Sequence, residues 1–211
     1  MNLQVKKEHY FRNYDSKERF CSYWTQIEYV LKLNTPPVLE VGVGNRLVAD
    51  YLVKQGVQMA SLDLDRALSP TVVGSITQLP FKTGSFGTVM ACEVLEHLPF
   101  ESFIPALAEM ARVSRQYAII SVPNVGRVWQ YQLHVPGFGV VRKSLDVSWW
   151  RRRKQPLGTG QHYWELELEG YPRSRIEAGI QTAGWTLTEQ KRVWEMPAHH
   201  FFVLKKSKPM L

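Results

Sequence analysis

The sequence predicts an α/β fold in which a mostly parallel sheet carries helices on both faces. Short apolar runs and helical patterns alternate from Val38 to Asn124, which implies right-handed crossovers between parallel strands. The first run ends in a glycine turn, and an acid closes the next about 20 residues later. At 211 residues with 45% apolar side chains, the chain is long enough for one such domain with a sizeable core.

Glu8 to Leu33 reads as one helix, with Phe20, Tyr23, Trp24, Ile27, Val30 and Leu31 forming a stripe of the kind normally buried. Val38-Leu39-Glu40-Val41 is a buried strand. Gly42 and Gly44 let the backbone turn sharply after it, and the helix opening near Asn45 points unpaired N–H groups into the same crevice. Leu62-Asp63-Leu64-Asp65 ends the second strand, where the Asp63 carboxylate can accept both hydroxyls of a ribose. That order predicts a nucleotide-cofactor site. A helix from Phe103 to Val113 joins the fourth and fifth strands. Beyond Gly160 come a helix near Tyr171 to Ala183, a strand around Trp185 to Val193 and a last strand around His200 to Lys205.

Between Val125 and Gly160 the sequence is rich in Gly, Pro, Trp and Arg and is read without a period of either kind. Seven basic residues there oppose the single acid Asp146, so this segment holds +6 of the net charge of +7. The two cysteines, Cys21 and Cys92, fall in a helical pattern and at a strand end, so a disulfide framework is not expected. No stretch approaches the roughly 20 apolar residues of a membrane span, and the charged N-terminus is unlike a signal core. The expected location is cytoplasmic, with peripheral membrane attachment through the basic segment as a variant.

Three segments carry a family resemblance. They are Gly74-Ser75-Ile76-Thr77-Gln78-Leu79-Pro80-Phe81, the run from Ser85 through Cys92 into Glu93-Val94-Leu95-Glu96-His97-Leu98-Pro99, and Ile120-Ser121-Val122-Pro123-Asn124. In this order they resemble the class I S-adenosylmethionine-dependent methyltransferases, type 11 group. The resemblance implies a Rossmann-like, mostly parallel seven-stranded sheet with an antiparallel closing strand. It implies S-adenosylmethionine as cofactor and S-adenosylhomocysteine as product. Glu40, Gly42, Val43 and Gly44 would border the methionine end, Asp63 with Leu64 the ribose, and Ser75 with Ile76 the adenine, while Cys92 adjoins the cleft. It also divides the chain into an N-terminal helical cap (1–37) that can serve as a lid, a cofactor core (38–124), an insertion (125–160) and a substrate-side end (161–211).

Three positions depart from the family pattern. Arg46 stands where many relatives have a third glycine, Ser75 where an Asp usually meets the adenine amino group, and Gly87 in place of the Asp of a common S-F-D motif. A hydroxyl at Ser75 forgoes the charge-assisted hydrogen bond. These departures support a rival reading, a non-catalytic binding module that keeps the fold.

Methyl transfer from a sulfonium is an in-line displacement, so the protein must align the partners and exclude water, and a base helps a hydroxyl or amine acceptor. Glu93, Glu96 and His97 follow the fourth strand and would share a face if Glu93 were helical. His162 comes from the returning chain. His97, Glu93 and His162 are the expected catalytic residues, and the plain alternative makes the acids dipole-stabilised and the histidines structural. A sharper reading is a divalent metal at Glu93, Glu96, His97 and His162 that clamps a substrate hydroxyl. Small-RNA 3′-terminal 2′-O-methyltransferases and ubiquinone-pathway O-methyltransferases have a comparable arrangement. The basic stretch 142–154, with Trp149-Trp150-Arg151-Arg152-Arg153-Lys154, suits RNA or DNA, an anionic membrane or a phosphorylated substrate, and otherwise is a solvated loop. The function expected first is O-methylation of a small-molecule or glycan-like acceptor, and second a metal-assisted RNA 2′-O-methylation.

Overall fold

The computed structural model describes residues 7–11, 14–147, 153–156 and 161–207. After a short 3₁₀ turn at Lys7–Tyr10 come α1 (Lys17–Leu33), β1 (Val38–Val41), α2 (Leu47–Lys54), β2 (Met59–Asp63) and the two-residue β3 (Val72–Val73). β4 (Phe86–Cys92), α3 (Phe103–Val113) and β5 (Ser114–Pro123) complete the first half of the sheet. A hairpin of β6 (Val128–Val135) and β7 (Gly139–Asp146) follows, then α4 (Arg173–Thr182), β8 (Trp185–Arg192) and β9 (His199–Lys206).

The seven-stranded sheet runs β3-β2-β1-β4-β5-β9-β8, with only β9 antiparallel to its neighbours. Strand order reverses between β1 and β4, and a crevice opens at their carboxyl ends. The apolar runs of β1, β4 and β5 are buried on both faces, as central parallel strands require. One core, with Phe103, Leu107, Trp164, Ile180 and Trp185, joins the sheet to α3 and α4, and the other, with Ile27, Val30, Leu52, Met90 and Phe201, joins it to α1 and α2. Trp185 and Trp164 are fully buried only because each indole N–H finds a carbonyl, Leu107 at 2.9 Å and Leu98 at 3.2 Å.

Three expectations are corrected. The N-terminal helix begins at Lys17, not Glu8, because Ser16 takes an extended conformation and its hydroxyl caps the N–H of Arg19. Its apolar stripe is also not all core: Phe20, Trp24 and Leu31 are exposed, while Ser22, Gln26, Ile27, Tyr29 and Val30 face inward. The inner face is part polar because it meets polar partners, such as His199 Nδ1, 2.8 Å from Ser22 Oγ. Within the insertion, 128–146 is a regular hairpin rather than aperiodic chain. Trp149, Trp150, Arg151 and Arg152 lie outside the described residues.

Gly87, one of the departures, has a steric reason. A Cβ there would stand 1.9 Å from the carbonyl oxygen of Thr35, so the chain entering β1 occupies the space a side chain would need. Gly87→Ala should destabilise the protein by about 3 kcal/mol or more, lowering the thermal midpoint by roughly 6–12 °C in a calorimetric scan. An unchanged midpoint would mean that residues 35–37 yield freely.

Candidate active site

At the crevice lies a cavity of about 500 Å³, lined by Glu40, Gly42, Val43, Gly44, Asp63, Leu64, Ser75, Ile76 and Cys92, and also by Glu93 and His97. The structure thus brings together every residue placed at the cofactor by the sequence, Cys92 included, whose thiol is pushed up by burial.

Gly42 has φ +79°, and a Cβ there would meet Val94 Cγ2 at 2.4 Å, so only glycine lets the turn after β1 close against the turn after β4. Asp63 locks that turn: Oδ2 accepts from the Val43 N–H at 2.9 Å and Oδ1 from Asp65 N–H at 2.9 Å. Burial nevertheless pushes its carboxyl upward, partly offset by those bonds. Ser75 Oγ lies 2.9 Å from Thr77 Oγ1 and faces the same cavity. Arg46, where a third glycine is usual, has φ +65°; its guanidinium reaches the Ser69 carbonyl and Asp50 at 3.0 Å. These contacts hold a non-glycine residue in the left-handed region.

Glu40 is buried with Oε2 unpartnered among the described residues, and burial pushes its carboxyl up to about 8. Because the folded value lies above the unfolded one, the stability it contributes is complete below about pH 4.5 and is lost as pH rises toward 8. Glu96, also raised by burial, acts in the same direction, whereas His200, pushed down to about 3, costs stability only as pH falls below 6.5. The midpoint of the ligand-free protein should therefore fall by about 4–8 °C from pH 6.5 to 8.5, and Glu40→Gln should flatten that slope in thermal scans. An equally steep slope in the variant would refute the assignment.

Tyr10, Tyr14, Arg19 and Tyr23 also line this cavity. Tyr10 lies edge-on to Tyr14 with centroids 5.4 Å apart, and the Arg19 guanidinium sits 4.0 Å over the Tyr14 ring. Asp15 straps this group to the glycine turn, accepting from Asn45 Nδ2 at 3.0 Å and from the Tyr23 hydroxyl at 2.7 Å. All four lie in the helical cap expected to be able to serve as a lid, but the sequence did not single them out as cavity lining, since only their meeting across the crevice distinguishes them.

A second pocket of about 260 Å³ adjoins the first and shares Tyr10, Tyr14, Arg19, Glu93, His97 and His199 with it. Glu96, His162 and Glu165 line its other side. Glu93 is not helical. It has φ +54°, its N–H donates to the Ser121 carbonyl, and its Oε1 accepts from the Ser121 hydroxyl at 2.8 Å. A 3₁₀ turn, Leu95–His97, starts after it, so the condition for a shared helical face is not met. The Glu93 carboxylate is 3.6 Å from Nε2 of His199, a buried imidazole whose protonation burial disfavours.

Three of the four expected metal ligands do converge: one ligand atom each of Glu96, His97 and His162 lies within 4.8 Å of the others. His97 Nδ1 is 3.0 Å from the Gln161 carbonyl, which can only accept, so Nδ1 carries the proton and Nε2 the lone pair. His162 Nδ1 is 2.6 Å from Oε1 of the fully buried Glu165, a partner that sequence reasoning missed. Among the described residues, neither oxygen of the buried Glu96 has a hydrogen-bond partner.

The methyltransferase-domain family model matches residues 39–122. No curated protein matches the chain. Among solved structures, the magnesium protoporphyrin IX methyltransferase of Synechocystis PCC 6803 with bound S-adenosylhomocysteine is similar at TM-score 0.65 and 12% identity, over 95% of this chain and 92% of that one. The CcbJ methyltransferase of Streptomyces caelestis gives 0.63 and 14%, over 98% and 100%. The 1,6-didemethyltoxoflavin-N1-methyltransferase of Burkholderia thailandensis gives 0.58 and 15%, over 90% and 78%. At such identities the structural likeness speaks for the fold alone, and the domain match covers β1 to β5. Residues 39–122 match the type 11 methyltransferase-domain model, within a fold shared with methyltransferases solved with bound S-adenosylhomocysteine.

Proposed function

We propose that this enzyme methylates a hydroxyl oxygen of a small-molecule or glycan-like acceptor held in the smaller pocket. The observation that carries the reading is that this pocket opens onto the cofactor cavity and is walled by imidazoles and carboxylates, groups able to orient a hydroxyl and take its proton.

The residues present fit the cofactor. The orphaned Glu40 carboxyl offers a polar partner that a cationic methionine end would hold ionised, Asp63 a carboxylate for ribose hydroxyls, and the turn at Gly42–Gly44 a close approach of backbone. Ser75 and Ile76 take the adenine side, with Leu64 and Cys92 as apolar walls. When bound, S-adenosylmethionine supplies a methyl group on a sulfonium leaving group. Tyr10 and Tyr14 keep water from the crevice. With the cofactor in place, His97 Nε2 would take the proton of the acceptor hydroxyl, and Glu93 and His162 would orient that acceptor.

The convergence of Glu96, His97 and His162 favours a second reading, metal-assisted transfer to a 2′-hydroxyl of RNA. Both imidazoles have a backing acceptor, the Gln161 carbonyl and Glu165, the support that metal-ligating histidines use. Transfer of labelled methyl to sugars and to a short RNA, with and without a chelator, separates the two. A methyl ether formed on a small acceptor in the chelator supports the first; RNA methylation that needs Mg²⁺ or Mn²⁺ supports the second; labelled amine products overturn both.

A further inference from the structure

The β6–β7 hairpin stands outside the seven-stranded sheet, and its two faces are reversed for a protein in water. Pairing fixes which side chains share a face: Trp129 with Leu145, Tyr131 with Lys143 and Leu133 with Val141 on one side, Gln130 with Ser144 and Gln132 with Arg142 on the other. Three side chains of the polar side, though that side is itself exposed, reach the body. Gln130 donates to the Trp194 carbonyl at 2.9 Å, Arg142 pairs with Glu195 at 3.2 Å, and Asp146 pairs with Arg173 at 2.6 Å. The apolar side therefore looks outward, with Trp129 70% exposed and Phe138 at the tip 87% exposed. A two-stranded ribbon is marginal in water, and an apolar face left uncovered marks an interaction site.

We propose that this face docks on the surface of an anionic lipid bilayer. Leu133, Val141 and Leu145 gain from hydrocarbon and nothing from phosphates or stacked bases, which disfavours RNA on this face. Trp129 and Tyr131 suit the headgroup boundary, where one end of the ring is apolar and the other wet. Lys143 stands within the face, and Arg127, Arg153 and Lys154 of the same excursion are exposed, so the charge complements acidic headgroups. A second copy would bring like charge against Lys143, which disfavours self-association through this face.

Co-sedimentation with vesicles of phosphatidylcholine alone and of phosphatidylcholine with phosphatidylglycerol tests this. The expected result is binding to the mixed vesicles that weakens with salt and is about tenfold or more stronger than to the neutral ones. Trp129→Gln/Leu133→Gln/Phe138→Ser should reduce it by about tenfold or more, and Lys143→Glu by about fivefold, both with unchanged S-adenosylhomocysteine affinity as the check on folding. Failure of the wild-type protein to bind the mixed vesicles overturns the proposal. So does undiminished binding by the triple variant, or a dimer that the triple variant dissolves while vesicle binding stays at background.

Discussion

Asp63→Ala should weaken S-adenosylhomocysteine binding by about a hundredfold, measured by calorimetric titration. The carboxylate has two tasks at once: its oxygens hold the N–H groups of Val43 and Asp65, and its remaining lone pairs face the cavity. Charge-assisted hydrogen bonds contribute about 1.5–3 kcal/mol each, so losing the ribose contact and slackening the glycine turn together cost about 3 kcal/mol, the equivalent of that affinity change. Asp63→Asn keeps an acceptor for one of the two N–H groups and should fall between. An alanine variant within about threefold of wild type would place the ribose elsewhere.

The second large effect belongs to turnover. His97→Ala should lower kcat by about 10²–10⁴ while leaving S-adenosylhomocysteine affinity within a few-fold of wild type, because proton removal is asked of Nε2 and not of the cofactor contacts. Alanine also removes the bond to Gln161 that pins the returning chain, so a loss could be structural. His97→Asn keeps a donor near Nδ1 and removes the base; it should restore the thermal midpoint but not kcat. Recovery of kcat in the asparagine variant would make His97 a positioning residue. Glu96→Gln then divides the two proposed chemistries, abolishing turnover if an ion is held and leaving most of it if none is.

The cofactor side was legible because it is local: the turn at Gly42–Gly44 and the acid at Asp63 need only their own strands and the order between them. The acceptor side depends on chain that returns from elsewhere. Glu165 backs His162 only through the fold of 161–168, and His199 meets Glu93 across 106 positions of sequence, so no spacing announced either. A shared face for Glu93, Glu96 and His97 hung on Glu93 being helical, and propensity carries no sign of a left-handed turn at a glutamate. The hairpin was missed for another reason. Trp129, Tyr131 and Leu133 alternate with Gln130, Gln132 and His134, a readable period of two, but the composition of the whole insertion masked it, and nothing local says that the polar face is the one that reaches the body.

The excursion that carries the hairpin leaves and rejoins the body at nearly one point: Val125 N–H donates to the Leu166 carbonyl at 3.0 Å, and Leu166 N–H to that of Pro123 at 2.8 Å. A segment hung this way behaves as an exchangeable part. Its ends are already closed, so lengthening, shortening or replacing the hairpin Val128–Asp146 within it changes closure entropy by well under about 1 kcal/mol per doubling and leaves the sheet register untouched. What the enzyme docks against can thus diverge between descendants of one ancestor while the methyl-donor machinery stays the same.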